Sequence, residues 1–136
     1  MSAKNQSGQA SGQASGRTRN PTEAEIMRAI LAALGAERDL YLMRNQVGGS
    51  ERFDVDTNEV RHERYGLAKG SSDLVGILAP SGRWFCLEVK TQTGSLDEDQ
   101  RKWLALARRF GAFACVVRSV DEAVAALYRA RAGESE

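Results

Sequence analysis

The sequence predicts an α/β fold in which a central mixed β-sheet is flanked by helices, with the elements in the order αβββαβα. Three segments, residues 21–34, 95–110 and 119–131, carry apolar residues at helical spacing and begin with residues that favour a helix start. Short apolar runs of strand length lie between them, and two of these are separated only by turn residues. Apart from its first 20 residues, the chain is long enough for one hydrophobic core.

The first helix is predicted over residues 21–34, where Pro21-Thr22 favours a start and Gly35 favours an end. Its apolar stripe repeats every fourth residue, at Ile26, Ile30 and Leu34. At roughly 100° per residue, Glu23 falls in the middle of this stripe and Glu25 on the opposite side. We therefore expect Glu23 to face inward and Glu25 to be solvated. A carboxylate near a helix start also has an ordinary explanation, because it interacts favourably with the helix dipole.

A short first strand is predicted at residues 40–44, followed by a polar insertion. The insertion, residues 50–69, contains possible short strands around 53–55 and 60–62. Its polarity and glycine-rich end are typical of segments that lie at the surface and carry function. We expect a long functional loop or a small hairpin here.

A hairpin with acidic residues at its open end is predicted over residues 73–90. Asp73 precedes one apolar run, and the second run returns the chain to Glu88 and Lys90. If the turn is centred near Ser81-Gly82, Asp73 lies opposite the end of the second strand, where cross-strand neighbours are about 4.5–5.5 Å apart. Strand alternation sends Glu88 and Lys90 to one face and the apolar residues between them to the other.

Two carboxylates and one ammonium group are therefore expected to converge at the open end of this hairpin. Such a set suits a hard divalent cation with a polarised water beside it. An acid and a lysine two residues apart are often only a solvated charge pair. Here both runs are strongly apolar, so the strands are expected to be interior and their polar groups to need a function.

The second half of the chain begins with Ser95 and Glu98, a capping-box pattern that predicts a helix to about Phe110. Gln100 lies within the apolar face of this helix. The other members of that face are Leu96, Trp103, Ala107 and Phe110. A glutamine in an apolar face needs a partner. We expect its side chain either to bond to nearby backbone or to contact the functional site or nucleic acid.

A further strand is predicted over residues 112–118, and Ser119 with Glu122 caps a last helix that runs to about Arg131. Residues 1–20 repeat Ser-Gly-Gln-Ala and contain almost no apolar side chains, so burial does not offset the entropy cost of ordering them. The expected organisation is a disordered tail at 1–20, one domain at 21–131 and a short C-terminal tail at 132–136.

The composition is that of an ordinary soluble protein, with 42% hydrophobic and 27% charged residues. The sequence shows neither a long apolar run nor a signal-peptide pattern, so we expect a cytoplasmic protein without a membrane partner. The net charge of +1 is not the signature of a strongly basic nucleic-acid binder, although local patches remain possible. Cys86 and Cys115 lie in apolar runs and are expected to be buried free thiols. The single histidine, His62, lacks the neighbours of a zinc site or a catalytic triad.

Four candidates remain for the chemistry: Glu23, Asp73, Glu88 and Lys90. Their surroundings resemble the PD-(D/E)XK nuclease superfamily and, within it, the VRR-Nuc domain. The resemblance rests on Thr22–Ile26, Arg44-Asn45, Gly66 through Asp73, Leu87-Glu88-Val89-Lys90 and Leu96 to Gln100, and it covers residues 22 to about 125. Ser72 stands where the superfamily name would put proline, and residues 50–64 have no counterpart.

The resemblance implies a restriction-endonuclease-like core and a Mg²⁺- or Mn²⁺-dependent phosphodiesterase that acts on DNA. By position, it assigns metal binding to Asp73, Glu88, the Val89 carbonyl and, for a second metal or a metal-bound water, Glu23. Lys90 would orient or activate the attacking water, and Gln100 would belong to the same catalytic set.

Standalone members of this family resemble structure-specific enzymes that act on branched DNA, such as four-way junctions, as homodimers, since a junction presents two equivalent strands. One alternative is a general or restriction-like endonuclease without junction preference. Another is a non-catalytic DNA-binding module on the same fold.

Overall fold

The computed structural model describes residues 18–136, and the tail predicted at residues 1–20 lies almost entirely outside the described residues. The elements, in chain order, are α1 (Glu23–Leu34), β1 (Leu40–Arg44), β2 (Gly48–Asp54), β3 (Glu59–Tyr65), β4 (Leu74–Leu78), β5 (Arg83–Val89), α2 (Glu98–Arg109), β6 (Phe113–Val117) and α3 (Val120–Arg131). With β2 and β3 set aside as the insertion, this is the predicted order αβββαβα.

The central sheet has four strands in the order β1-β4-β5-β6. The first three strands pair antiparallel, and β6 pairs parallel to β5 after the crossover through α2. The sheet is therefore mixed, as predicted. The register pairs Leu74 with Leu87 and Leu78 with Arg83, so one step further along the strands Asp73 faces Glu88. This confirms the predicted position of Asp73 at the open end of the hairpin.

The insertion forms a separate two-stranded hairpin of β2 and β3. This confirms the small hairpin over the long loop, and its strands are longer than the segments predicted around 53–55 and 60–62. Nearly all of its residues are exposed, because among residues 18–136 the hairpin pairs with no other strand and packs closely against no helix.

Helices cover the two faces of the central sheet unequally. Helices α1 and α3 pack side by side on one face, whose core includes Ile30, Leu34, Phe85, Leu87, Phe113 and Leu127. Helix α2 packs on the other face over a smaller cluster, which comprises Val75, Cys86, Leu104, Ala112 and Ala114. Alternate residues of β5 therefore enter different cores, as the period of a strand requires.

The start of α2 differs from the prediction. Asp97, not Ser95, is the N-cap: its side chain accepts from Gln100 N at 2.8 Å, and Gln100 Oε1 accepts from Asp97 N at 3.0 Å. Aspartate caps a helix as well as serine does. With Asp97 as the N-cap, Gln100 is the third residue of the helix and its side chain bonds back to the backbone of the cap, as in a capping box. The predicted capping box of Ser95 and Glu98 is wrong.

Helix α2 ends at Arg109 with Phe110 as its C-cap, as predicted, but Phe110 is 77% exposed rather than part of a buried face. The other two helices begin as predicted, α1 at the Thr22 cap and α3 at the Ser119 cap. Cys86 and Cys115 are buried free thiols. Within residues 18–136, no helix is long and apolar enough to cross a membrane.

Candidate active site

Glu88 is the most deeply buried charged side chain of the predicted set, at 1% exposure. It lies near the end of β5 on the face that α2 covers. Asp73, immediately before β4, faces it across the hairpin, and Oδ2 of Asp73 accepts a hydrogen bond from Val89 N at 2.8 Å. This bond extends the pairing of the two strands by one step and fixes one oxygen of Asp73 against β5.

Lys90 follows β5 and is also buried. Its Nζ lies 3.7 Å from Oε1 of Glu88 and 3.8 Å from Oε1 of Glu23, at the start of α1. The lysine therefore stands between the two carboxylates. Residues from a helix and a hairpin meet at this point, as the sequence predicted.

The contrast predicted between Glu23 and Glu25 is only half correct. Glu23 does reach the site, but its side chain is 48% exposed and lies at the rim rather than in the core. Glu25 is the less exposed of the two at 34%, because it accepts from Thr22 N in the capping box and pairs with Arg19 at 2.7 Å. The helical angle predicted correctly that Glu23 points toward the site. The exposure of the two side chains depends instead on the capping contacts at the start of the helix.

Gln100 fulfils both of the alternatives predicted for it. Its Oε1 accepts from the backbone of Asp97, and its Nε2 donates to Oε1 of Glu88 at 2.7 Å. The capping box of α2 therefore holds the amide in one orientation, with its donor directed at the buried carboxylate. This donor fixes the position of Oε1 of Glu88.

The electrostatics of the site centre on Glu88. Burial, and next the negative charge of Asp73, raise the pKa of Glu88 to about 8, while the positive charge of Lys90 acts in the opposite direction. Two neighbouring carboxylates in a poorly solvated place repel each other unless a proton or a cation intervenes. The pair is therefore charged most easily when a cation is bound.

The donor set fits a hard divalent cation. Asp73 and Glu88 supply anionic oxygens that face each other across the hairpin. The role of the Val89 carbonyl as a third oxygen ligand stays a prediction. Within the part of the chain that the structure describes, no three His, Cys, Asp or Glu side chains are grouped to hold a metal ion. Glu23 is separated from the acidic pair by Lys90, and its role at a metal stays a prediction.

Two clefts meet at Asp73. One has a volume of about 1020 Å³ and runs between the starts of α1 and α3, past Glu23, Thr91 and Arg118. The other, of about 200 Å³, lies between the loop before β4 and the start of α2, where Gln100 contributes to its wall. Because Asp73 lines both, an extended ligand that followed these clefts would pass over Asp73.

Asn45 is a contributor whose role the sequence did not reveal. Its Nδ2 donates to Ser71 Oγ at 2.8 Å and to the Ser72 carbonyl at 2.9 Å, and its backbone N donates to the Asp73 carbonyl at 2.7 Å. It therefore fixes the loop that leads into Asp73. The hydroxyl of Ser72, at the position of the superfamily proline, is buried and has no hydrogen-bond partner among the described residues.

Gly70 lets the same loop approach α2. Its φ is +81°, and a Cβ at this position would collide with the backbone of Asp99. Lys69 pairs with Asp99 at 3.3 Å on the outside of the same contact. The loop before Asp73 is thus held by β1 on one side and by the start of α2 on the other.

Arg118 is a second contributor that sequence reasoning missed. Its Nη1 donates to the carbonyl oxygens of Thr91 and Gly94, the latter at 2.7 Å, and so closes the turn that follows Lys90. A side chain at Gly94 would come within 3.4 Å of Oε1 of Glu23. A lone arginine at a strand end carries no signal in the sequence, because its partners are backbone atoms 24 and 27 residues away.

The VRR-NUC domain model matches residues 22–121, which include every residue of the site described above. None of the curated proteins compared with the chain matches it. The matched region is most of the chain, and the mixed sheet flanked by helices agrees with the restriction-endonuclease-like fold of this domain. The VRR-NUC domain implies a nuclease-type function with DNA as the partner, and this chain belongs to the VRR-NUC domain family.

Proposed function

We propose that this protein is a Mg²⁺- or Mn²⁺-dependent endodeoxyribonuclease. One observation supports the proposal above the others: Glu88, a buried acid, faces Asp73, accepts a hydrogen bond from Gln100 and lies 3.7 Å from the ammonium of Lys90. A structural ion pair would not require a second carboxylate at the same point, because the added negative charge raises the cost of burial.

The cation would be held by the carboxylates of Asp73 and Glu88 and by the Val89 carbonyl. When bound, it supplies Lewis-acid stabilisation of the charge that develops on the scissile phosphate. Glu23, at the rim beside Lys90, is proposed to hold a second cation or a coordinated water.

Gln100, the Val89 amide and Lys90 have separate roles in the proposed site. Gln100 Nε2 occupies Oε1 of Glu88 and leaves Oε2 of this residue for ligation. The Val89 amide does the same for Asp73 by occupying Oδ2. Lys90 Nζ donates to the attacking water and holds it in line with the phosphorus, which is a contribution of positioning rather than of covalent chemistry.

We further propose that the substrate is branched DNA, such as a four-way junction, and that the enzyme acts as a homodimer. A domain of this size has little room for elements that read bases, so recognition would rest on the DNA backbone and its shape. Two copies related by a two-fold axis would present two equivalent sites to the two equivalent strands of a junction.

The test is cleavage of labelled four-way, flap, splayed and linear duplex substrates with Mg²⁺, with Mn²⁺ and with a chelator. We expect cation-dependent cleavage that is fastest on the four-way junction. Asp73→Asn and Glu88→Gln should abolish it, since each removes ligand charge without changing size. Glu98→Gln is the matched control, because Glu98 is an exposed acid of α2 whose one ion pair within residues 18–136 is with Lys102.

Equal cleavage of all four substrates would replace the junction enzyme with a general endonuclease. Binding of DNA without cleavage under any cation would leave a non-catalytic module. Wild-type rates in Asp73→Asn or Glu88→Gln at saturating cation would dismiss the assigned site.

A further inference from the structure

A row of large apolar side chains crosses the face of the central sheet that carries α2. Tyr41 on β1 pairs with Ile77 on β4, and Ile77 pairs with Trp84 on β5. Residues directly opposite in neighbouring strands point to the same side of the sheet. All three are nevertheless exposed, Tyr41 to 68%.

The row continues into a hydrophobic cleft beside α2. Trp84 lines a cavity of about 370 Å³ together with Trp103, Leu106 and Phe110, near the end of the helix. Met43, two residues along β1 from Tyr41, is also exposed on this side. We call this surface the outer apolar face; its exposed members are Tyr41, Met43, Ile77, Trp84, Leu106 and Phe110.

The outer apolar face exists because one helix covers this side of the sheet and two cover the other. Helix α2 covers the half of this face that β5 and β6 form, where Cys86 and Ala114 are buried. On the half formed by β1 and β4, Val75 is buried and the side chains further from the site are exposed. The N-terminal 17 residues contain a single large apolar side chain, Met1. Their composition therefore does not match a surface of this kind.

The size of the face fits an interface between two copies of a small protein. From the exposed fractions of its six members, it presents on the order of 600 Å² of apolar surface, at or above the largest patch of a typical monomer. A stable interface buries about 800 Å² per partner, of which the centre is apolar and the rim polar. The six members are uncharged, and Arg83 lies at their edge, where its Nε is bound to the Gly111 carbonyl.

We infer that the outer apolar face is the surface through which a second copy of this chain docks, sheet against sheet around a two-fold axis. In such an interface the same patch serves both copies, so no complementary surface elsewhere is needed. This inference rests on the proposed function, which includes a two-fold dimer. It deepens that function by naming the surface where the two copies meet.

The assigned interface leaves both catalytic clefts accessible. None of the six members lines either cleft that meets at Asp73. Along β5, Trp84 and Glu88 are four residues apart, which corresponds to about 13 Å of strand. Variants of the outer apolar face therefore test the interface without touching the proposed metal ligands, Lys90 or Gln100.

The test compares two tyrosines of similar exposure in the full-length chain. Tyr41, on the outer apolar face, is 68% exposed, and Tyr128, on α3 at the opposite side of the sheet, is 65% exposed. Sedimentation equilibrium of the wild type should give twice 14.9 kDa. Tyr41→Lys should raise the dimer Kd at least about tenfold, and Tyr128→Lys should leave it unchanged.

A second measurement leaves all six members of the outer apolar face unchanged. In a Trp103→Phe background, Trp84 is the only tryptophan, and its emission should shift to longer wavelength on dilution as the dimer dissociates. A wild-type chain that stays monomeric at high concentration would overturn the inference, and so would a dimer that Tyr41→Lys and Ile77→Lys leave intact. A monomer whose Trp84 emission responds to single-stranded DNA would overturn it in favour of a stacking surface.

Cleavage without dimerisation would overturn this inference and leave the proposed nuclease standing. Dimerisation that depends on Tyr41 without cleavage would support the interface and count only against the nuclease. The two proposals therefore fail in different experiments.

Discussion

At the scale of single residues, the chemistry depends on how Glu88 is surrounded. A carboxylate with 1% exposure is costly to bury, and within residues 18–136 it is compensated by one hydrogen bond from Gln100 and by Lys90, whose Nζ lies 3.7 Å away. The second carboxylate, Asp73, makes the cost greater. Under the proposed function, this destabilising arrangement would favour binding of a cation, because the cation would remove the repulsion between the two carboxylates.

The first prediction concerns the pH dependence of stability in the metal-free protein. Unfolded Glu88 releases its proton near its ordinary pKa of 4.5, whereas in the folded protein the pKa is raised to about 8. Between these values the native state binds more protons than the unfolded state, so stability falls as pH rises, by at most about 1.4 kcal/mol per pH unit. The Tm of the wild type should fall more steeply than that of Glu88→Gln across this range.

The control for this experiment is Glu98→Gln, which should keep the wild-type slope because Glu98 is exposed. Mg²⁺ should raise the Tm of the wild type more at the alkaline end of the range than at the acidic end, since binding requires the charged carboxylate. Parallel slopes for the wild type and Glu88→Gln would contradict the assigned pKa shift.

The second prediction compares two glutamates in the first turn of α1. Glu23→Gln removes the charge 3.8 Å from Lys90 and should lower metal-dependent turnover about tenfold or more. Glu25→Gln should change turnover little, because glutamine also serves in the capping box. Initial rates at saturating cation and DNA measure both. Equal losses in the two variants would remove Glu23 from the site.

At the scale of elements, the site is assembled where several chain segments end. Strand β5 carries Glu88, and the turn after it is closed by Arg118 from the end of β6. The loop before β4 is fixed by Asn45 from the end of β1. The start of α2 adds Gln100 through its own capping box. Parallel pairing of β5 with β6 brings their ends to the same edge of the sheet, which is why these segments meet.

The third prediction tests the turn after β5. Arg118→Lys keeps the charge but loses the planar group whose Nη1 reaches two carbonyl oxygens, so Lys90 and Glu23 should lose their relative position. We expect kcat to fall about tenfold or more with little change in KM. Arg129→Lys on α3 is the control, since among the described residues Arg129 forms its ion pair with Glu136 and packs on Phe113, away from the site. A raised KM with an unchanged kcat would instead make Arg118 a DNA contact.

At the scale of the whole molecule, the net charge of +1 hides how the charges are distributed. The clefts that meet at Asp73 pass close to Lys69 on one side and Arg118 on the other. The phosphates of a DNA strand that followed these clefts would contact a small number of basic side chains. One copy would therefore bind DNA weakly and a two-fold dimer more strongly, provided that the substrate reaches both sites.

The fourth prediction follows from this count of contacts. Affinity should fall with salt by about 0.9 log units per log unit of salt for each phosphate neutralised. A dimer that spans a branch point should show roughly twice the slope on a four-way junction that it shows on a linear duplex. The measurement is a salt titration on both substrates, with cleavage blocked by Asp73→Asn or by Ca²⁺. Identical slopes and affinities would contradict the branched-DNA proposal.

The sequence by itself determined the order of the elements and the position of the acidic pair. Hydrophobic periods of two and of about four residues are local properties, and the short turn between the two apolar runs fixed the register that sets Asp73 against Glu88. The motifs around these residues identified the family, and the domain match over residues 22–121 confirms it. Local pattern and short-range register were therefore sufficient for the core of the site.

Only the tertiary structure decided the rest. The cap of α2 moved from Ser95 to Asp97, where Gln100 both completes the cap and reaches Glu88. Arg118 and Asn45 act through backbone atoms distant in sequence, so neither carries a local pattern. The outer apolar face depends on which half of the sheet α2 covers. In each case the deciding contact joins segments far apart in the chain, and its energy comes from packing rather than from local propensity.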